Sequence, residues 1–212
     1  MKLVKSLCLF KQLSFRLSVL IIFSLFSLVS CKDNKEENTE KNVIADTQQE
    51  KKLSKEEYEN RGKYLVEMIG CHDCHSPKKM GERGPELISE LAFSGFQANS
   101  ELPMMNKQAL ENGWMLMNPD LTAFVGPWGI SYAANLTPHD TGMGSWNFEQ
   151  FKRAMVEGKY KGQKDGRMLL PPMPWQNFKE VEEEDLRAMY NYFKTLKPVD
   201  NVVPSPKPLA EL

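Results

Sequence analysis

One five-residue stretch constrains this chain more than any other: Cys71-His72-Asp73-Cys74-His75. Two thiols lie three positions apart, so one turn of the chain can present both sulfur atoms to the same edge of a flat ligand, and an imidazole follows immediately. This spacing is the attachment motif of a c-type haem. It predicts that Cys71 and Cys74 bind one haem c covalently through thioethers and that His75 supplies an axial nitrogen to the iron.

A Cys-x-x-Cys pair has two other common functions. Half of a zinc site would need further ligands at similar spacing, but the chain has no second Cys pair and only two other histidines, His72 and His139. A thioredoxin-like redox motif lies beside a βαβ pattern, which the sequence does not show. Haem attachment is therefore the favoured interpretation.

The N-terminal residues have the pattern of an export signal. Residues 1–30 contain four basic residues and no acidic one. Their apolar run at 17–29 is shorter than the roughly 20 residues that a membrane-spanning helix needs. The run ends in Leu28-Val29-Ser30-Cys31, which resembles the lipobox of bacterial lipoproteins. The resemblance implies that residues 1–30 are removed as a signal peptide and that Cys31 carries lipid; an uncleaved membrane anchor is the alternative.

A lipoprotein of this kind is expected to be exported and anchored to a bacterial membrane, and we expect the outer membrane, on its periplasmic or surface side. The assignment also accounts for all four cysteines, because Cys8 leaves with the signal and none remains for a disulfide. Removing the four basic residues of the signal from 27 leaves 23 against 28 acidic residues, a net charge near −5. This mildly acidic balance argues against nucleic acid as a partner.

The rest of the chain divides into three parts. Residues 31–53 are rich in charged and amide side chains and cannot bury a core, which predicts a disordered tether. Residues 54–198 are expected to form the folded domain. Residues 199–212 contain three prolines and are expected to form an extended, partly disordered tail.

Two helices are clearest in the pattern. The first runs from about Lys55 to Ile69, begins with a capping box made by Ser54 and Glu57, and carries Gly62 on or next to its apolar face. That glycine either allows close approach of another helix or is simply tolerated. The last helix has the acidic residues 182–185 at its N-terminal end and ends before Pro198. Its apolar stripe consists of Leu186, Met189, Tyr190, Phe193 and Leu196.

A helix, the haem motif and then Gly84-Pro85-Glu86-Leu87 resemble the start of a class I cytochrome c. The resemblance implies an all-α, class I cytochrome c-like fold whose first and last helices cross. The chain departs from small class I cytochromes in one respect, because the stretch between the haem motif and the distal methionine loop is longer, so an extended loop insertion is expected there. In that family the proline carbonyl accepts a hydrogen bond from the ligand histidine, so Pro85 is expected to orient His75. A simple turn role for Pro85 is the alternative.

The sixth ligand of the iron is expected to be Met173. Prolines on both sides stiffen the loop and would hold a weak thioether ligand in place. The string Pro172-Met173-Pro174-Trp175 also resembles the distal loop of cytochrome c subunits of membrane-bound dehydrogenases. Met168 and Met143 are the competing candidates.

With both axial positions filled by His75 and Met173, no substrate reaches the iron. The hypothesis is therefore a non-catalytic electron carrier, or an electron-transfer subunit of an oxidoreductase complex. It would pass single electrons between a periplasmic or membrane dehydrogenase and a downstream cytochrome or oxidase. The alternative is a haem-based gas sensor or catalytic haem protein whose sixth ligand is labile.

Overall fold

The computed structural model describes residues 53–212. The predicted signal peptide, Cys31 and the predicted tether up to residue 52 lie outside these residues. No helix within the described range is long and apolar enough to cross a bilayer. The α-helices of the described range are α1 Lys55–Ile69, α2 Cys71–His75, α3 Lys107–Glu111, α4 Phe148–Val156 and α5 Glu183–Thr195. The strands of the same range are β1 Lys78–Gly81, β2 Gly84–Leu87, β3 Leu116–Met117, β4 Ala123–Gly126 and β5 Gly129–Tyr132.

The all-α prediction is wrong, because the domain contains two antiparallel sheets between α2 and α4. Strands β1 and β2 form a hairpin, and β3, β4 and β5 form a three-stranded sheet in that order. In the second sheet, Val125 pairs with Ile130 and Gly126 with Gly129, so a two-residue turn joins β4 to β5. Gly129 has a φ of 95°, a conformation that glycine adopts without strain. The region expected to be a loop insertion therefore folds as mixed α and β structure.

Helix α1 begins as the sequence predicts. The Ser54 hydroxyl accepts a hydrogen bond from the Glu57 backbone N–H at 3.2 Å, and the Glu57 carboxylate accepts one from the Ser54 N–H at 2.8 Å. These two bonds satisfy backbone donors that the first turn of a helix leaves free. The capping box is confirmed.

The first and last helices pack against each other at Gly62. A side chain there would overlap the carbonyl of Ala188 and lie 2.9 Å from Tyr192 Cβ. On the rim of this contact, the Arg61 guanidinium donates two hydrogen bonds of 2.9 Å to the Asp185 carboxylate. The predicted close approach of the two helices is confirmed, and glycine is required because the backbone of α5 occupies the space of a Cβ.

One apolar core lies between α1, α4 and α5, and it includes Phe93 from the loop that follows β2. Phe93 and Phe193 meet edge to face, with ring centroids 5.5 Å apart. The predicted stripe of α5 supplies Leu186, Met189 and Phe193, each at most 2% exposed. The core residues are Leu65, Val66, Phe93, Met143, Phe151, Met155, Phe178, Leu186, Met189 and Phe193.

The C-terminal tail, which the sequence predicts to be extended, lies against the domain. Asn201 is only 5% exposed. Lys207 and Ile130 exchange backbone hydrogen bonds of 2.9 and 3.3 Å, which places the tail beside β5. The prolines make this segment extended, but the buried amide of Asn201 and the pairing with β5 hold it in place.

Candidate functional site

The predicted attachment motif forms the short helix α2. Gly70 ends α1 with a φ of 80° and immediately precedes α2, so the chain changes direction there without steric strain. Cys71 and Cys74 lie three positions apart in one helical turn, which places both thiols on the same side of it. Both thiols are free and half-buried. This part of the site is local: five consecutive residues and one glycine determine it.

Burial favours the protonated form of both thiols. Burial raises the pKa of Cys71 to about 12, and burial also raises the pKa of Cys74. Covalent attachment to two vinyl groups needs two free S–H groups on the same side of a turn, and Cys71 and Cys74 provide them.

The His75 ring is oriented by a backbone carbonyl. Its Nδ1 lies 2.8 Å from Ala134 O, so Nδ1–H donates to that carbonyl. Burial lowers the pKa of His75 and favours the neutral ring. In this tautomer Nε2 carries the lone pair, and it has no hydrogen-bond partner within residues 53–212. A neutral imidazole fixed at one nitrogen and free at the other is the form that ligates a metal.

Pro85 does not accept this hydrogen bond, so its predicted role is corrected. It lies exposed in β2, opposite Met80 in the β1–β2 hairpin. The carbonyl that orients His75 belongs instead to Ala134, just after β5 and 59 positions further along the chain. Gly84 and Pro85 pair with β1 and therefore belong to a hairpin, not to the loop that approaches His75. No spacing in the sequence pointed to Ala134.

A short backbone segment holds the Ala134 carbonyl in reach of His75. Gly95 N–H donates to His75 O at 2.9 Å, and Phe96 N–H donates to Ala133 O at 3.0 Å. Gly95 has a φ of 73°, and a Cβ there would lie 2.6 Å from Ala134 O. Glycine at position 95 therefore lets three stretches of backbone meet beside His75.

Lys78 closes the C-terminal end of α2, a role that the sequence did not reveal. Its Nζ donates to the carbonyls of Asp73, Ser76 and Asp120 at 2.7, 2.9 and 2.9 Å. Burial lowers the pKa of Lys78. The ammonium group satisfies carbonyls that the end of a helix leaves free, and it ties α2 to the loop before β4.

His72 is part of the packing around α2. Its ring lies over Phe93, with centroids 3.8 Å apart, and its Nδ1 is 2.7 Å from Ser76 Oγ. Ser76 Oγ also accepts a hydrogen bond from Phe93 N–H at 2.9 Å. Through its ring contact with Phe93 and its hydrogen bond with Ser76, His72 links α2 to the core.

Of the three methionines considered for the sixth position, Met173 lies at the edge of the core. It is half-buried and packs against the same core cluster as Cys71. Met143 is 1% exposed and belongs to the core itself, whereas Met168 is 40% exposed. The Met173 loop is anchored by the Ser131 hydroxyl of β5, which donates to Pro171 O at 2.6 Å.

Comparison with curated proteins finds cytochrome subunits of dehydrogenases. The chain is 39% identical over 87 residues to the fructose dehydrogenase cytochrome subunit of Gluconobacter japonicus, covering 40% of the chain and 17% of that protein. It is 29% identical over 134 residues to the gluconate 2-dehydrogenase cytochrome c subunit of Pantoea cypripedii, covering 63% and 22%. It is 40% identical over 75 residues to the cytochrome c subunit of the quinone-dependent alcohol dehydrogenase of Gluconacetobacter polyoxogenes, covering 34% and 15%.

No protein-family model matches the chain. The chain spans less than a quarter of the length of each of these three relatives. The similarity supports a cytochrome c-like protein, as the motif of α2 predicts. Within residues 53–212 no group of three or more His, Cys, Asp or Glu side chains could hold a metal ion on its own.

Proposed function

We propose that this protein transfers single electrons through one covalently bound haem c with His75 and Met173 as axial ligands. The observation that carries the proposal is the state of α2. Two free thiols lie on one helical turn, and the adjacent histidine has Nδ1 bound to Ala134 O and Nε2 free. The names of the relatives support the same class of protein.

The residues present fit that group. Each thiol of Cys71 and Cys74 would add its S–H across one vinyl group, and His75 would bind the iron through Nε2. Met173 would fill the sixth position and exclude other ligands, which keeps the protein a carrier rather than a catalyst. The haem, when bound, supplies a reversible one-electron change at its iron. The protein would contribute the ligands and the apolar core beside them.

The similarity to dehydrogenase subunits supports a dehydrogenase as the electron donor and a second cytochrome or an oxidase as the acceptor. The protein would act as a mobile carrier or as a fixed subunit of such a complex. We also propose export, cleavage after residue 30 and lipid attachment at Cys31, on the basis of the lipobox pattern. Metabolic labelling with a lipid precursor should then mark the wild-type protein but not Cys31→Ser, whose haem spectrum should stay unchanged.

The test of the proposed function is an absorption spectrum of the ferric and ferrous protein, with and without carbon monoxide. The protein would be produced in cells that mature c-type cytochromes. We expect a low-spin ferrous spectrum that carbon monoxide does not change, because both axial positions are occupied. Met173→Ala should keep the covalent haem but bind carbon monoxide.

Met168→Ala is the matched control, since this exposed methionine lies five positions earlier. It should leave the ferrous spectrum closed to carbon monoxide. If the wild-type protein binds the gas readily, the sixth ligand is absent or labile, and a sensor or catalytic role replaces the carrier. A protein without haem absorbance in such cells would overturn the whole proposal.

A further inference from the structure

We infer that Asn201, in the C-terminal tail, is a positioning residue that holds the Ala134 carbonyl against His75 and thereby tunes the haem's reduction potential. The inference rests on the proposed function. It concerns a residue more than 120 positions from the haem motif that, within the described residues, has no hydrogen bond to His75 or Met173, so no sequence motif indicates it.

The first connection runs through the loop that follows β2. The Asn201 amide donates to the carbonyls of Ser94 and Phe96 at 2.8 Å each and accepts from Ala98 N–H at 3.0 Å. Its polar side chain is therefore fully engaged, although the residue is only 5% exposed. A buried amide with all its partners in one segment fixes that segment, because leaving any of these groups unpaired is costly.

The clamped segment is the one that bridges the histidine and its acceptor. Between Ser94 and Phe96 lies Gly95, whose N–H donates to His75 O. Phe96 N–H donates to the carbonyl of Ala133, the neighbour of Ala134. Asn201 thus acts on both ends of the His75–Ala134 hydrogen bond through a single short stretch of backbone.

A second connection reaches Ala134 from its other side. The Asn135 amide, also 5% exposed, donates to Val199 O at 2.9 Å and Asn201 O at 3.3 Å. The Thr141 hydroxyl accepts from Asn201 N–H at 3.1 Å and from the Asn135 amide at 3.2 Å. Both neighbours of Ala134 are therefore tied, directly or through one segment, to residues 199–201.

Ala134 itself has little to hold it. It is exposed, and within the described residues its one hydrogen bond is the one from His75. The direction of its carbonyl is set by Ala133 and Asn135. The tail reaches both of these neighbours, and Ala133 N–H also donates to Thr122 O at 2.8 Å. This is why the clamp at Asn201 controls the hydrogen bond.

The chemical consequence has a definite sign. Donation of Nδ1–H to a carbonyl places more electron density on the imidazole and strengthens its bond to iron. A stronger donor stabilises ferric relative to ferrous iron, so it lowers the reduction potential. Loosening the Ala134 carbonyl should therefore raise the potential and expose the Nδ1 proton to exchange.

The experiment compares haem-loaded Asn201→Ala with the wild type. Two quantities are measured: the reduction potential, by spectroelectrochemical titration, and the His75 Nδ1–H resonance of the ¹⁵N-histidine-labelled ferrous protein. We expect a higher potential and faster exchange of that proton with solvent. Thr141→Val removes one hydroxyl from the same network and should shift both quantities in the same direction by less; it provides the test if Asn201→Ala fails to fold.

Asn147→Ala is the matched control, because the Asn147 side chain caps α4 through Gln150, away from the network around Ala134. It should lower stability and leave the potential and the Nδ1 proton unchanged. The inference is overturned if Asn201→Ala and Thr141→Val bind haem and stay closed to carbon monoxide but keep the wild-type potential and proton exchange. In that case the proposed function stands, since it is tested separately by the carbon monoxide spectrum.

Discussion

On the His75 side of the candidate site, several hydrogen bonds join segments far apart in the chain, whereas the Met173 loop makes one such bond and has prolines on both sides of the methionine. His75 is connected through Gly95 and Ala134 to the tail at Asn201. Within residues 53–212, residues 171–174 make one hydrogen bond to a distant segment, from Ser131 to Pro171. The stronger of the two proposed ligands thus lies in a long-range polar network, and the weaker one in a locally stiff loop.

This difference has a physical reason. The imidazole ligand has a second polar nitrogen that needs a partner, so a network can orient it. A thioether has no hydrogen to donate, and its position is best held by limiting the conformations of its loop. Substitutions beside His75 should therefore mainly lower the stability of the protein, whereas substitutions that affect the Met173 loop should mainly accelerate carbon monoxide binding.

The largest effect is expected from Gly95→Ala. Positive φ strain and overlap with the Ala133 carbonyl should together cost about 2–4 kcal/mol of unfolding free energy. The measurement is urea denaturation of the haem-loaded protein. The matched control on the Met173 side of the chain is Gly166→Ala, where a Cβ would lie 3.0 Å or more from its neighbours and φ is not positive. If Gly95→Ala loses no more unfolding free energy than Gly166→Ala, the close backbone packing beside His75 does not contribute to stability as we infer.

The next effect is expected from Lys78→Met. This change leaves three carbonyls beside α2 without their ammonium donor, at a cost of about 1–3 kcal/mol. Denaturation by urea at neutral pH measures it. Lys63→Met serves as the control, because the exposed Lys63–Glu67 pair at 3.8 Å contributes close to nothing. Equal midpoints for the two variants would show that Lys78 does not support α2.

A smaller effect on stability is expected from Ser131→Ala, which removes the distant anchor of the Met173 loop. Pro171 O belongs to an exposed residue and can bind water instead, but Trp128 Nε1–H also loses Ser131 Oγ as its acceptor at 3.2 Å, so the loss should be about 1 kcal/mol. The informative measurement is carbon monoxide binding to the ferrous protein, which should become faster as Met173 dissociates more often. Ser100→Ala, at an exposed serine, should not change that rate. An unchanged rate in Ser131→Ala would mean that the prolines alone hold the loop.

The smallest effect is expected from Pro174→Ala. Its main consequence is a more flexible unfolded chain and a less restricted loop, worth about 0.4–1 kcal/mol. Pro103→Ala, at an exposed proline outside the loop, should cost a similar amount in thermal denaturation. Only Pro174→Ala should also accelerate carbon monoxide binding. If both variants bind the gas at the wild-type rate, local stiffness is not what retains the sixth ligand.

Local patterns in the sequence were sufficient to predict features that depend on residues close together in the chain. The attachment motif occupies five consecutive residues, the capping box of α1 spans four, and the stripe of α5 repeats with the period of a helix. The requirement for glycine at position 62 was one of two open interpretations, and the structure decides it because Ala188 occupies the space of a Cβ. Strands β4 and β5 were missed because each has only four residues, three of which are buried. Such short, buried strands lack the alternation of apolar and polar residues by which a strand is recognised in a sequence.

By itself, the sequence determined that two thiols and an imidazole lie on one turn, that a helix precedes them, and that a methionine lies between prolines before the last helix. Only the tertiary structure decided which carbonyl orients His75, where the tail binds, and that Lys78 closes α2. Each of these is a hydrogen bond between residues that no short period or motif connects. Their partners are chosen by which backbone groups become buried together, and burial is a property of the folded chain.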